Sequence, residues 1–199
     1  MRYHYDLWAA PDENGISLLD RVLRKRVEAE HKKGGREPKT TMVIVDSKSI
    51  QDADTVKEKG YNAGKNIQHK ATWVDILGLP HPIMVTTADV TDRNGAVEMV
   101  DYYNDVTNNL SLVKKVLVDG GYAGENFANS IKSLIQAEVE VAKHNELHPF
   151  AVILKCWVVE CSFGWLDKCR RLWKNCERDM QNSFQMVVIA FIRLLLKRC

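Results

Sequence analysis

Two short runs in this chain end alike: Met42-Val43-Ile44-Val45-Asp46 and Val116-Leu117-Val118-Asp119-Gly120-Gly121. Four apolar residues rich in Val and Ile, closed by polar or glycine residues, read as a strand buried on both faces. A carboxylate at the end of such a strand is costly unless it is partnered or points into a site. The two aspartates lie 73 residues apart in sequence, so they meet only if their strands are neighbours in one sheet. Adjacent strands are about 5 Å apart, close enough for two such carboxylates to share a divalent metal. The competing reading is that each aspartate caps a turn.

Glu160 is the third candidate ligand. It sits in an apolar stretch, which reads as a helix over residues 152–177. With Glu160 set at 0° and about 100° per residue, Cys161, Leu166, Trp165, Cys169, Leu172, Trp173 and Cys176 form one apolar face. Asp167, Arg171, Lys174 and Arg178 fall within about 40° of Glu160, as does Cys156. One reading is a metal ligand with a basic track for a phosphate backbone. The other is an ordinary amphipathic helix with Asp167 and Arg171 as an i, i+4 pair. An Asp–Asp–Glu set of hard oxygen ligands suits Mg²⁺ or Mn²⁺ rather than zinc.

The elements that must position these residues follow from periodicity. Apolar residues recur at helical spacing through residues 16–33, and Gly34-Gly35-Arg36-Glu37-Pro38 reads as a linker. Strands are expected at 41–46, 72–76, 82–90, 115–119 and 139–142, and helices at 95–103, 125–135, 152–177 and 182–197. The polar stretch 52–70, with Gly60 and Gly64, reads as a loop, as does 144–150. The outline is a mixed α/β domain with a hairpin-bearing sheet.

With 199 residues, 45% of them hydrophobic and 27% charged, the chain suits one soluble domain with a small appendage. A net charge of +2 argues neither for nor against nucleic acid. Local clusters of Lys and Arg in the first 40 residues and around 168–178 fit a phosphate-binding surface beside an acidic site, or simply solvated helix faces. The amino terminus has no signal-peptide core, and the apolar run 184–196 is too short to span a membrane. A cytoplasmic protein with reduced cysteines is expected. Cys156, Cys161, Cys169 and Cys176 are spaced too far along a helix to converge on zinc. Asp75, Asp89 and Asp92 read as turn or cap residues. Trp157, Trp165 and Trp173 read as packing residues, His144 and His148 as loop residues, and Tyr122 lies close behind Asp119 with its role open.

Several blocks, taken in order, carry a resemblance. They are Ile44-Val45-Asp46-Ser47-Lys48-Ser49, Gly60-Tyr61-Asn62-Ala63-Gly64-Lys65, Leu77-Gly78-Leu79-Pro80-His81 and Val85 through Arg93. Val118 through Tyr122, Trp157-Val158-Val159-Glu160, Trp165-Leu166, Arg170-Arg171-Leu172 and Glu177 complete them. Together these resemble the DDE transposases of bacterial insertion sequences, from about residue 40 to the carboxyl terminus. The resemblance implies an RNase H-like mixed sheet flanked by helices, forming a catalytic domain over 40–199 behind a short helical segment and linker at 1–39. It implies a triad of Asp46, Asp119 and Glu160, with the 41-residue interval between the last two typical of the family.

The implied chemistry is two-metal phosphoryl transfer with Mg²⁺, or Mn²⁺ in its place, during DNA cleavage and strand transfer. The implied partners are double-stranded DNA, both element ends and target, and further copies of the chain. Nucleoid association follows, with no membrane. Lys65, Lys70, Arg170, Arg171 and Lys174 are the candidates for holding DNA phosphates.

Departures from the family pattern are equally specific. Relatives carry a basic residue four positions before the glutamate and directly after it; this chain has Cys156 and Cys161. The segment 67–70 is less basic than its counterpart, and only the tail of the helical DNA-binding region precedes the first strand. An amino-terminally truncated transposase is therefore expected. The alternatives are a catalytically inactive DNA-binding remnant and a general nuclease of the same fold.

Overall fold

The computed structural model describes residues 2–58, 60–62, 65–107, 110–142 and 149–197. In chain order its elements are α1 (Arg2–Ala9), α2 (Leu18–Lys33), β1 (Met42–Gln51), β2 (Gly60–Asn62), β3 (Lys65–Val74) and β4 (Pro80–Thr87). They continue with α3 (Asp92–Thr107), β5 (Lys115–Val118), α4 (Glu125–Ile135), β6 (Glu138–Val141), α5 (Pro149–Asp167) and α6 (Met180–Leu196).

The strands form one mixed sheet. β1 pairs antiparallel with β3, and β3 pairs antiparallel with β4 and the short β2. On its other edge β1 pairs parallel with β5, which pairs parallel with β6. The order from β4 is therefore β4-β3-β1-β5-β6, with β2 extending the β4 edge. This is the RNase H-like arrangement that the resemblance implied.

Alternation along the strands sends successive side chains to opposite faces. Val43, Val45, Trp73, Val116 and Val118 pack on one side against Met99, Val100, Phe127 and Ile131 of α3 and α4. Ile44, Val74 and Leu117 pack on the other against Val159 and Phe163 of α5, Val188 and Phe191 of α6, and Leu23 and Val27 of α2. Burying one such side chain contributes roughly 1.5–3 kcal/mol, so each face is a full core. Helix α2 is capped reciprocally: Ser17 Oγ accepts from Asp20 N at 3.1 Å, and Asp20 Oδ2 accepts from Ser17 N at 3.0 Å. Gln185 of α6 donates to the same hydroxyl at 3.0 Å, tying the two ends of the chain together.

Two expected elements are corrected. The stretch 52–70 is not all loop, because β2 and the first half of β3 lie within it. The helix expected over 152–177 begins at Pro149 and ends at Asp167. Beyond it, Cys169 N bonds Leu166 O and Leu172 N bonds Cys169 O, both at 2.8 Å. Such i to i−3 turns keep Leu172 buried at nearly helical spacing, which is why the apolar pattern runs on past the helix. Residues 143–148, with His144 and His148, lie outside the described part. No described helix is long and apolar enough to cross a membrane.

Candidate active site

The parallel register of β1 with β5 runs Met42–Lys115, Val43–Val116 and Ile44–Leu117. Two residues further along each strand come Asp46 and Asp119. By the same alternation, both carboxylates leave the sheet on the face of Ile44 and Leu117, the face that α5 covers. On α5, Val159 and Phe163 turn into that core while Glu160 is exposed beside them. An ion pair between Lys48 of β1 and Asp167 of α5 fastens the far end of the helix along the same strand.

The charges of Asp119, Glu160 and Asp92 reach Asp46, although the ligand oxygens of Asp46, Asp119 and Glu160 do not all lie within 4.8 Å of one another in the described structure. Burial pushes the Asp46 carboxyl up to about 6, with the charges of Asp119, Glu160 and Asp92 adding to the shift. The Ser47 amide, which donates to Asp46 Oδ1 at 2.8 Å, pulls the other way, more strongly than any one of those charges pushes. Asp119 accepts from Gly121 N at 2.9 Å and caps the 3₁₀ turn Gly120–Tyr122. A Cβ at Gly121 would stand 3.0 Å from Asp119 Oδ1, so the turn holds the carboxylate against a residue without a side chain.

Hard oxygen donors, with Asp46 held against ionisation mainly by burial and further by its acidic neighbours, suit a divalent cation of the Mg²⁺ or Mn²⁺ type. Two neighbours escaped the sequence reading. Asp92, expected only as a cap, begins α3 and adds a fourth negative charge near Asp46. Nothing in its local spacing separates it from an ordinary cap. Tyr122 is buried beside Ser47, and burial with the charges of Asp92, Asp46 and Asp119 raises its phenol.

The expected phosphate contacts divide. Arg170 is exposed and Lys174 is half-buried. Arg171 is exposed but spends its guanidinium on Glu177, at 2.6 Å. Lys65 lies in β3, with its side chain outside the described part. Lys70 is corrected: it is 2% exposed, beneath the segment that follows α5. Its ammonium has no hydrogen-bond partner among the described residues, and burial lowers it to about 8. It therefore offers no surface charge to DNA. The basic track on one helical face is lost as well, since Arg171, Lys174 and Arg178 lie beyond the end of α5. Trp157 and Trp173, expected as packing residues, are exposed. Cys161 is half-buried directly after Glu160, and the Cys156 side chain lies outside the described part.

The chain belongs to the transposase DDE domain family, which it matches over residues 37–195. No curated protein matches the chain. Among solved structures, the Mos1 mariner paired end complex with Mn is similar at a TM-score of 0.36 and 13% identity, covering 94% of this chain and 63% of that chain. The catalytic domain of Mos1 mariner transposase is similar at a TM-score of 0.36 and 12% identity, covering 94% of this chain and 97% of that one. The Mos1 strand transfer complex gives a TM-score of 0.36 and 14% identity, covering 90% and 60%. The chain thus spans less than two thirds of the length of the Mos1 chains in those complexes. The family assignment rests on the match over 37–195.

Proposed function

We propose that the chain is the catalytic part of a DDE transposase, with Asp46, Asp119 and Glu160 holding two Mg²⁺ or Mn²⁺ ions for phosphoryl transfer on double-stranded DNA. The observation that carries this reading is that Asp46 and Asp119 each follow the register pair Ile44–Leu117 by two residues, close enough to α5 for Asp119 and Glu160 both to raise the Asp46 carboxyl. When bound, the ions would activate a water or a DNA 3′-hydroxyl as nucleophile and stabilise the leaving oxygen. The protein's own task is to hold three carboxylates together in spite of their repulsion. Asp46 is held within β1, which runs on to Gln51 rather than ending at residue 46 as expected; the Gly121 amide orients Asp119 just past β5, and the core under Val159 and Phe163 seats Glu160.

In this reading residues 1–39 are a helical segment and linker, and 40–199 form the catalytic domain. Arg170 and Lys174 remain candidates for phosphate contacts, and further copies of the chain would bring two element ends together.

The experiment is Mn²⁺-dependent nicking of supercoiled plasmid by the purified chain, with Asp46→Asn as the control. Nicking that the substitution abolishes supports the assignment; nicking that survives it refutes it.

One observation favours a second reading, an inactive DNA-binding remnant. Cys161, next to Glu160, cannot make the charge-assisted phosphate contact of the arginine usual at that position. Activity that appears only when Cys156 and Cys161 are both replaced by arginine would support the remnant.

A further inference from the structure

Away from the carboxylate trio, a second group of ligand-type side chains is buried where α2 meets the sheet. His31 of α2, Asp75 at the end of β3 and His81 of β4 each place a donor atom within 4.8 Å of the others. Their side chains are 4%, 2% and 3% exposed.

The hydrogen bonds around this group leave its centre short of a cation. His31 Nδ1 lies 2.9 Å from the carbonyl oxygen of Pro38. A carbonyl only accepts, so the proton is on Nδ1. The other ring nitrogen, Nε2, directly faces Asp75 Oδ2. Either a second ring proton on Nε2 or a bound cation bridges the two atoms. Asp75 Oδ1 accepts from the amides of Leu77 at 2.7 Å and Leu79 at 3.1 Å, which leaves Oδ2 to the two rings. His81 Nε2 approaches the same oxygen at 3.4 Å. Its Nδ1 is buried with no hydrogen-bond partner among the described residues, so nothing else claims the ring.

We propose that His31, Asp75 and His81 bind one zinc-type transition-metal ion, which fastens α2 to the sheet. Two imidazoles and one monodentate carboxylate suit Zn²⁺; Mg²⁺ prefers an all-oxygen shell. The 3.4 Å between His81 Nε2 and Asp75 Oδ2 is close to the edge of a tetrahedron with bonds of about 2.0 Å, whereas His31 Nε2, in direct contact with the same oxygen, must draw back to admit the ion. A ligating histidine whose second nitrogen donates to a backbone carbonyl, and a ligating carboxylate held by amides, form the outer shell such sites use. His31 and Asp75 also help to line a cavity of ≈ 410 Å³, which offers room for a water ligand and a path of entry.

The site is distinct from the trio. Thr72 is the register partner of Asp46, and Asp75 stands three residues further along β3, about 10 Å away.

Cobalt titration of the metal-stripped full chain tests this. One equivalent of Co²⁺ is expected to give the visible absorption of a tetrahedral site, without the near-ultraviolet band of a cobalt thiolate. The spectrum persists in the Asp46→Asn chain and disappears on Asp75→Ala. His81→Gln weakens binding at least about tenfold. Zn²⁺ displaces the cobalt and raises the melting temperature. If the Asp75 variant does not fold, the native chain still decides. Absence of the visible band, a thiolate band from the cysteines, or a melting temperature indifferent to Zn²⁺ would each overturn the proposal. The last result would leave an imidazolium–aspartate pair in the metal's place.

Discussion

Asp46, within β1, and Asp119, just past the end of β5, each lie two residues beyond the register pair Ile44–Leu117 of those parallel strands. This follows from Val43-Ile44-Val45 pairing side by side with Val116-Leu117-Val118, each followed by an aspartate. It places two like charges about 5 Å apart at their backbones, with Glu160 approaching from α5. The fold carries that repulsion whenever no cation is present.

Replacing Asp46 with Asn should therefore stabilise the metal-free chain. The folded protein holds the Asp46 proton up to about pH 6, against an ordinary value of 3.8. Stability then falls as pH rises through that window, and the full penalty applies above it. The shift corresponds to about 2 kcal/mol after allowance for the partial exposure of the carboxyl. Urea unfolding of both chains in EDTA at pH 7.5 measures the gain, which should vanish at pH 4. Mn²⁺ should raise the melting temperature of the native chain and not of the variant.

Gly121→Ala probes the orientation of Asp119. The new methyl would sit 3.0 Å from Asp119 Oδ1, so the carboxylate must shift off the Gly121 amide. The backbone there is not strained by a side chain, so stability should change by less than about 1 kcal/mol. Mn²⁺ affinity, measured by calorimetry, should drop about tenfold. An unchanged affinity would mean that this hydrogen bond does not orient the ligand.

Lys70 gives a prediction of opposite sign. Its folded-state value of about 8 lies below the ordinary 10.5, because burial disfavours the ammonium. At neutral pH both states are protonated and the folded state bears a penalty of about 3 kcal/mol. Stability should rise between about pH 8 and 10.5, as the folded lysine sheds its proton first. Lys70→Met keeps the apolar stem and removes that penalty. Chemical denaturation at pH 7 should show the variant more stable by about 1–3 kcal/mol, and the gain should shrink at pH 10.

The Lys48–Asp167 pair should matter far less to stability. Both side chains are about a third exposed or more, and such pairs contribute about 0–1 kcal/mol. Asp167→Asn should leave the unfolding midpoint nearly unchanged at 0.5 M salt. A loss well above 1 kcal/mol there would show that the pair is structurally required.

How far the sequence reached depends on the element. The strands behind Asp46 and Asp119 were legible because continuous aliphatic runs are buried on both faces of a parallel pair. Helix α4 falls over 125–135 as expected, since Phe127, Ile131 and Ile135 repeat at helical spacing. The start of β3 was not legible: it is polar, flanked by glycines, and paired by register rather than by apolar contacts. Lys70 hides there for the same reason, looking like a surface cation although it is covered by the segment after α5. The end of α5 was missed because the turns at Cys169 and Leu172 imitate the helical period. Of the candidate site, the three carboxylates could be named from their runs. The approach of Asp92 and Tyr122 depends on how separate elements meet, which no local spacing records.

Mn²⁺ binding to the purified chain, followed by electron paramagnetic resonance, tests the central assignment most directly because it requires no DNA recognition. The native chain should deplete the free-ion signal, and Asp46→Asn, Asp119→Asn and Glu160→Gln should each restore most of it. Binding that is unaffected by any one of these substitutions would contradict a single site built from all three carboxylates.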